Sequence, residues 1–183
     1  MLGPIEVLKD VVAKMDQLQI KYFLVGSLAS MYYGRPRFTN DIDLVVQIGV
    51  AQIKDFANTF DFPSYYCPPF EVIQDEVLRR GSFNLIHQDS GIKIDIVLNK
   101  NSEISKSEIG RRKKVEIIPG FEAFIASPED VILKKLEFYK EGQSEKHLTD
   151  VREIVSSIDL DRSYLDSWTH KLDLKSEWLK AQE

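Results

Sequence analysis

Cysteine is nearly missing from this chain: its 183 residues contain only Cys67, which excludes an intramolecular disulfide. Its three histidines, His87, His147 and His170, lie too far apart for a familiar zinc-ligand spacing. With only nine Gly and seven Pro, and with 43% hydrophobic residues, the composition excludes wholesale disorder. Long hydrophobic runs are missing too. The longest uncharged segment, Tyr22 to Gly34, has thirteen residues including two Gly and two Ser, whereas a bilayer-spanning helix needs about 20. The N-terminal MLGPIEVLKD lacks the basic stretch and apolar run of a secretory signal. The expectation is a soluble protein of the reducing cytoplasm, with no membrane partner.

Excess positive charge is the last absence. A formal charge of −5 and a pI near 5.3 exclude the broad basic surface that grips duplex DNA. Polyanion contacts are confined to Arg111-Arg112-Lys113-Lys114, which also reads as a solvated loop or strand end, and to the pair Arg35 and Arg37.

What is present is regular. Ile5, Leu8, Val11, Val12, Met15 and Leu18 recur at helical spacing behind Pro4 and predict an opening helix over residues 4–18. Tyr22 to Val25 reads as a buried strand, Gly26-Ser27 as a turn, and Leu28 to Tyr33 as a helix closed by Gly34 and Pro36. Asp41 to Gln47 alternates, with Ile42, Leu44 and Val46 on one face and Asp41, Asp43 and Val45 on the other. A helix over Val50 to Phe60, a Pro-rich loop over Pro63 to Pro69 and a helix over Glu71 to Arg79 follow. Ser82 to His87 and Ile92 to Leu98 form a hairpin across residues 88–91, and the second strand carries Asp95 opposite its aliphatic face. Val115 to Ile118 and Ala123 to Ala126 add a strand or hairpin. From Ser127, an N-cap before Pro, Glu and Asp, the chain reads as helices at 128–141, 145–157, 161–171 and 174–182. The organisation expected is a core over residues 1–126 and a C-terminal helical region over 127–183 packed on it.

Strand, Gly-Ser turn, helix, then a strand bearing Asp-x-Asp is an arrangement suited to phosphoryl chemistry. Gly26 lets backbone approach a triphosphate, and the helix N-terminus after Ser27 offers unpaired N–H groups to the anion. Asp41 and Asp43 project the same way from one strand, roughly 6.5 to 7 Å apart at their bases, close enough to share divalent ions. Asp95 completes the cluster if its strand neighbours theirs. Arg35 and Arg37 are candidate phosphate clamps, because guanidinium forks match phosphate oxygens. His147 and Asp150 share a helix face, either as a surface pair or towards an acceptor. Tyr22, Tyr32, Tyr33, Phe38, Tyr65 and Tyr66 are read either as core or as a source of a base-stacking partner. Trp168 and Trp178 read as packing for the terminal helices.

The stretch Leu24-Val-Gly-Ser-Leu-Ala to Arg37-Phe-Thr-Asn-Asp41-Ile-Asp43-Leu-Val-Val resembles the signature of the polymerase-beta-type nucleotidyltransferase superfamily. Phe83-Asn-Leu-Ile-His87, Lys93-Ile-Asp95, and Ser127-Pro-Glu-Asp-Val-Ile-Leu-Lys-Lys-Leu136 through Lys146-His-Leu-Thr-Asp150 are similar to a family of small, mostly uncharacterised bacterial members. The resemblance implies an α+β nucleotidyltransferase fold, a mixed sheet flanked by helices. It implies magnesium (or manganese) held by Asp41, Asp43 and Asp95, which serve as both catalytic and metal residues. It implies transfer of a nucleoside monophosphate from a nucleoside triphosphate to an unidentified acceptor: a small molecule, a protein or an RNA end. Gly26, Ser27, Arg35, Arg37, Thr39 and Lys134 are the expected nucleotide-binding residues, with Lys135 the alternative to Lys134. The likeness extends to abortive-infection nucleotidyltransferase toxins, which would bring an antitoxin-like protein partner, and to the aminoglycoside nucleotidyltransferases. Thirteen residues separate Ser27 from Asp41, enough for Arg35, Arg37 and Thr39 to form a distinct loop over the site. The competing readings are a non-catalytic member that binds a nucleotide or a partner protein, and a nucleic-acid-binding module, which the net charge disfavours.

Overall fold

The computed structural model describes residues 3–37 and 39–182, so Phe38 lies outside the described residues. The chain opens with helix α1 (Pro4–Gln17), strand β1 (Lys21–Leu24), helix α2 (Gly26–Tyr33) and strand β2 (Asp41–Gln47). Helix α3 (Ile53–Thr59), a two-residue strand β3 (Tyr65–Tyr66), helix α4 (Phe70–Arg79), and strands β4 (Ser82–His87) and β5 (Lys93–Leu98) follow. Helix α5 (Glu103–Arg111) leads to the hairpin β6 (Lys113–Ile118) and β7 (Phe121–Ile125). The chain ends in α6 (Pro128–Gly142), α7 (Glu145–Ser157), α8 (Arg162–Lys171) and α9 (Lys175–Gln182). Among the described residues no helix is long and apolar enough to cross a membrane.

The strands form one seven-stranded mixed sheet in the order β3-β4-β5-β2-β1-β7-β6. β2 is central, antiparallel to β1 and parallel to β5, while β1 runs parallel to β7. Strict alternation decides which face is closed. Ile42, Leu44 and Val46 of β2, Ile94, Ile96 and Leu98 of β5, and Phe83 and Leu85 of β4 are buried on one side. There Phe83 meets Phe56 of α3 edge-on at 5.7 Å, Phe56 meets Phe60, and Phe60 meets Tyr65. The Tyr65 hydroxyl donates to Asp10 of α1 at 2.6 Å, which ties the opening helix to the same layer. Each large apolar side chain buried here contributes about 1.5–3 kcal/mol, so the alternation alone fixes which way the sheet faces.

Residues 103–111 carry little apolar periodicity, yet they form α5, capped by Ser102, whose side chain accepts from Ser105 N–H. The basic run is not a free patch. Arg111 donates to Glu129 at 2.8 Å and lies 3.9 Å from the Tyr164 ring centroid, while the Arg112 guanidinium covers Phe124. Lys114 pairs with Glu122 across the β6–β7 hairpin at 3.0 Å.

Candidate active site

The open face of the sheet carries the chemistry. The parallel register of β2 and β5 sets Asp43 directly beside Asp95, and Asp41 beside Lys93. Asp41 is exposed at the strand end, and Asp43 and Asp95 are half-buried. All three expected aspartates therefore share one face. Their carboxylates are not equally free, because Lys93 Nζ contacts Asp95 Oδ2 at 2.8 Å. Asn84, opposite Asp95 on β4, donates to Asp95 Oδ1 once its amide is turned to suit its neighbours. Among the described residues no three acidic, histidine or cysteine side chains already form a closed metal-ligand group.

Gly26 explains how close Asp43 comes to the turn. After Leu24 the strand pairing continues with Val25 N–H donating to the Asp43 carbonyl at 3.0 Å, and the chain then bends into α2. Gly26 has φ +63°, and a Cβ built on it would stand 2.0 Å from Asp43 Oδ2. Only glycine accommodates both the left-handed backbone and the carboxylate. Burial raises the Asp43 pKa, and so do the charges of Asp95 and Asp41; the Ser27 N–H and Lys135 oppose them.

The expected phosphate-facing residues separate into groups. Arg37 Nη2 donates to Ser27 Oγ at 2.8 Å and stands 3.5 Å from Asp150 Oδ2. Lys135 is buried, lines the cleft beside Asp43 and donates to Asp150 at 2.7 Å. Asp150 of α7 thus holds two cations beside the N-terminal turn of α2. Lys134 lines the same cleft but donates to Glu137. Arg35 is largely exposed and lies 3.6 Å from Glu153. Among the described residues Thr39 exchanges hydrogen bonds with the Asp41 backbone alone, at 3.4 Å.

The aromatic candidates also divide. Tyr22, Tyr33 and Tyr65 are core, while Tyr32 and Tyr66 remain exposed. His147 does not pair with Asp150; its ring lies against Phe138, with Nδ1 buried and without a partner among the described residues. Burial depresses its pKa, with Lys135, Lys146 and Arg37 adding to the effect against Asp150. Trp178 is buried among the terminal helices, as expected.

A cleft of about 150 Å³ begins at Gly26 and Asp43 and runs under α5 and α6 along Val45 and Val97. Sequence reasoning missed two of its acids. Asp130, in the first turn of α6, accepts from Ser127 Oγ at 2.6 Å and from the Tyr164 hydroxyl at 2.7 Å. Glu108, on the unanticipated α5, has its pKa pushed up to about 7, first by burial and then by Asp130. Lys135 carried a signal: it is four residues from Val131 and from Tyr139, on the buried stripe of α6.

Neither a family model nor a curated protein sequence matches this chain. Solved structures do match. An antigenic nucleotidyltransferase-like protein from Paracoccidioides brasiliensis aligns with TM-score 0.58 at 20% identity, over 96% of this chain and 91% of that one. ANT(2'')-Ia, in complex with adenylyl-2''-tobramycin, aligns with TM-score 0.64 at 14% identity, over 95% of this chain and 98% of its own. The lincosamide antibiotic adenylyltransferase LnuA, lincomycin-bound, aligns with TM-score 0.56 at 12% identity, over 85% of this chain and 99% of its own. The chain has the nucleotidyltransferase fold.

Proposed function

We propose that this protein is a metal-dependent nucleotidyltransferase that moves a nucleoside monophosphate from a nucleoside triphosphate to an acceptor hydroxyl or amine. The observation that carries the reading is the contact of Gly26 with Asp43. It places a half-buried carboxylate against the backbone at the head of α2, where an anion is favoured by the N–H groups of the first turn and the helix dipole. Of the structures it aligns with, ANT(2'')-Ia is bound to an adenylylated antibiotic and LnuA is an adenylyltransferase, which supports a transfer of this kind.

The residues fit a hard divalent cation. Asp43 carries negative charge that burial, Asp95 and Asp41 leave undercompensated, and oxygen donors of this kind suit Mg2+ or Mn2+. Asp41, Asp43 and Asp95 would hold it; Lys93 contacts Asp95 in this structure. A bound divalent ion would supply Lewis-acid neutralisation of the phosphate charge. In the reaction the acceptor atom bonds to the α-phosphorus, the bond to pyrophosphate breaks, and the acceptor proton leaves to solvent or a nearby base. The Ser27 hydroxyl, the Arg37 fork and Lys135 then serve the departing pyrophosphate. Arg35 and Lys134 stand at the margin, where release of Glu153 and Glu137 frees them for phosphate. Thr39 shapes the loop before Asp41.

The test offers all four nucleoside triphosphates, labelled at the α-phosphate, with Mg2+ or Mn2+, to separated metabolite, RNA and protein fractions. The reading requires label in one fraction with wild type and none with Asp43→Asn. No label in any fraction under either metal counts against it.

A further inference from the structure

The cleft beside Asp43 has largely apolar walls, and Glu108 lines it. Phe23, Val25, Val45, Val97, Val131 and Phe138 form the walls, and the volume is about 150 Å³. That is well below the roughly 300 Å³ at which pockets for drug-sized ligands begin, so it takes one flat ring system rather than a polycyclic or multi-sugar acceptor. The groups proposed above for the phosphates, the head of α2 with Ser27, Arg37 and Lys135, lie at the Asp43 end. The opposite end of the same molecule is then delivered to the apolar cleft.

Most polar groups around Glu108 are committed: Asp130 to Ser127 and Tyr164, the Asn99 amide to the Ser105 carbonyl at 3.0 Å, and Lys134 to Glu137. Lys100 faces Glu108 as a cation without a hydrogen bond or ion pair among the described residues. Among the described residues no hydrogen bond reaches the Glu108 carboxyl. The helix that bears it is fixed at both ends. Ser102 caps it, Ser107 bonds the Tyr164 hydroxyl at 2.8 Å, and Arg111 locks onto Glu129 of α6. A half-buried carboxyl held over an apolar slot without a partner is suited to pairing with the edge of a ligand.

We propose that this cleft receives the nucleobase of the donor nucleotide and that Glu108 reads the base edge, selecting a ring nitrogen beside an exocyclic amino group as in adenine or cytosine. The inference rests on the nucleotidyltransferase reading and names the specificity residue of that site. A protonated carboxyl offers one donor and one acceptor, the complement of that edge. An ionised one offers two acceptors, the complement of guanine. The charges facing Glu108 are Asp130, Lys134 and Glu137 of α6 and Lys100 before α5, and Asp43 and Lys135 line the same cleft. With its pKa at about 7, the carboxyl changes state near neutrality.

The experiment titrates ATP, CTP, GTP and UTP into the magnesium-loaded protein at about pH 6 and about pH 8, for wild type and Glu108→Gln. Inorganic tripolyphosphate, which has the phosphates but no base, corrects for phosphate titration. Wild type should favour ATP or CTP over GTP at the lower pH and lose on the order of tenfold of that preference at the higher pH. Glu108→Gln should bind tripolyphosphate as wild type does, with a base preference that no longer changes with pH. Val45→Phe, which fills the slot, should weaken nucleotide binding while leaving tripolyphosphate unchanged. Tripolyphosphate bound as tightly as every nucleotide overturns the base pocket and leaves the phosphate site standing. The same pH-dependent ranking in Glu108→Gln overturns the role of Glu108. Binding of neither nucleotide nor tripolyphosphate overturns the underlying function as well.

Discussion

Gly26 and Asp43 occupy space that only a hydrogen at Gly26 Cα leaves free: a Cβ there would lie 2.0 Å from Asp43 Oδ2 and 2.5 Å from Cγ. Turn and aspartate are one unit. The backbone conformation that brings the Ser27 N–H to the carboxylate is the one that forbids a side chain at residue 26.

Gly26→Ala should therefore destabilise the protein by about 1–3 kcal/mol, from the left-handed backbone and the displaced carboxylate together. In an Asp43→Ala background, which removes the carboxylate, part of that cost should disappear. A double-mutant cycle by urea denaturation reads the coupling. Additive effects would mean that the two residues are independent.

Asp43→Asn should leave the apo protein as stable as wild type, or more stable by about 0.5–2 kcal/mol at neutral pH. The sign follows from the raised pKa of Asp43 in the folded state. The folded protein holds this proton more tightly, so the ionisation penalty is absent below the ordinary aspartate value and fully present once pH exceeds the raised one. The gain should vanish in acid. Denaturation in chelator at neutral and at acid pH checks it.

Lys135 and Asp150 are both mostly buried, with side chains 6% and 13% exposed and 2.7 Å apart. Asp150→Ala leaves a buried ammonium without its carboxylate and should cost about 3–5 kcal/mol, whereas Lys135→Met with Asp150→Leu should recover much of that loss. Thermal and chemical denaturation of the two variants beside wild type decides it.

Arg37→Ala should weaken triphosphate binding by on the order of tenfold, because its fork already lies on Ser27 Oγ. Arg35→Ala should do much less, since that side chain is 79% exposed and 3.6 Å from Glu153. Calorimetric titration separates them.

The sequence made most of this fold legible because alternation in β2 and β5, and the Ser127 cap of α6, are signals written by burial and backbone hydrogen bonding. It also marked the aspartates, since the Asp-x-Asp period assigns a shared face before the partner strand is known. Register was beyond it: nothing in Lys93-Ile-Asp95 says that Asp95 stands opposite Asp43 rather than Asp41. α5 escaped because Ile104 and Ile109 are its only aliphatic residues, and its place depends on Arg111 and Ser107 reaching α6 and α8. Glu108, carried on that helix, went unseen with it. The run at residues 111–114 misled because charge pattern alone cannot show a guanidinium turned inward onto Tyr164.

The most direct test of the central claim is the melting temperature of the protein with saturating nucleoside triphosphate, measured with Mg2+ or Mn2+ and again in chelator. A ligand that binds only the native state raises the melting temperature by mass action. The account predicts a rise that requires both nucleotide and metal and that Asp43→Asn abolishes. An equal rise with and without metal, or one undiminished in Asp43→Asn, would contradict it.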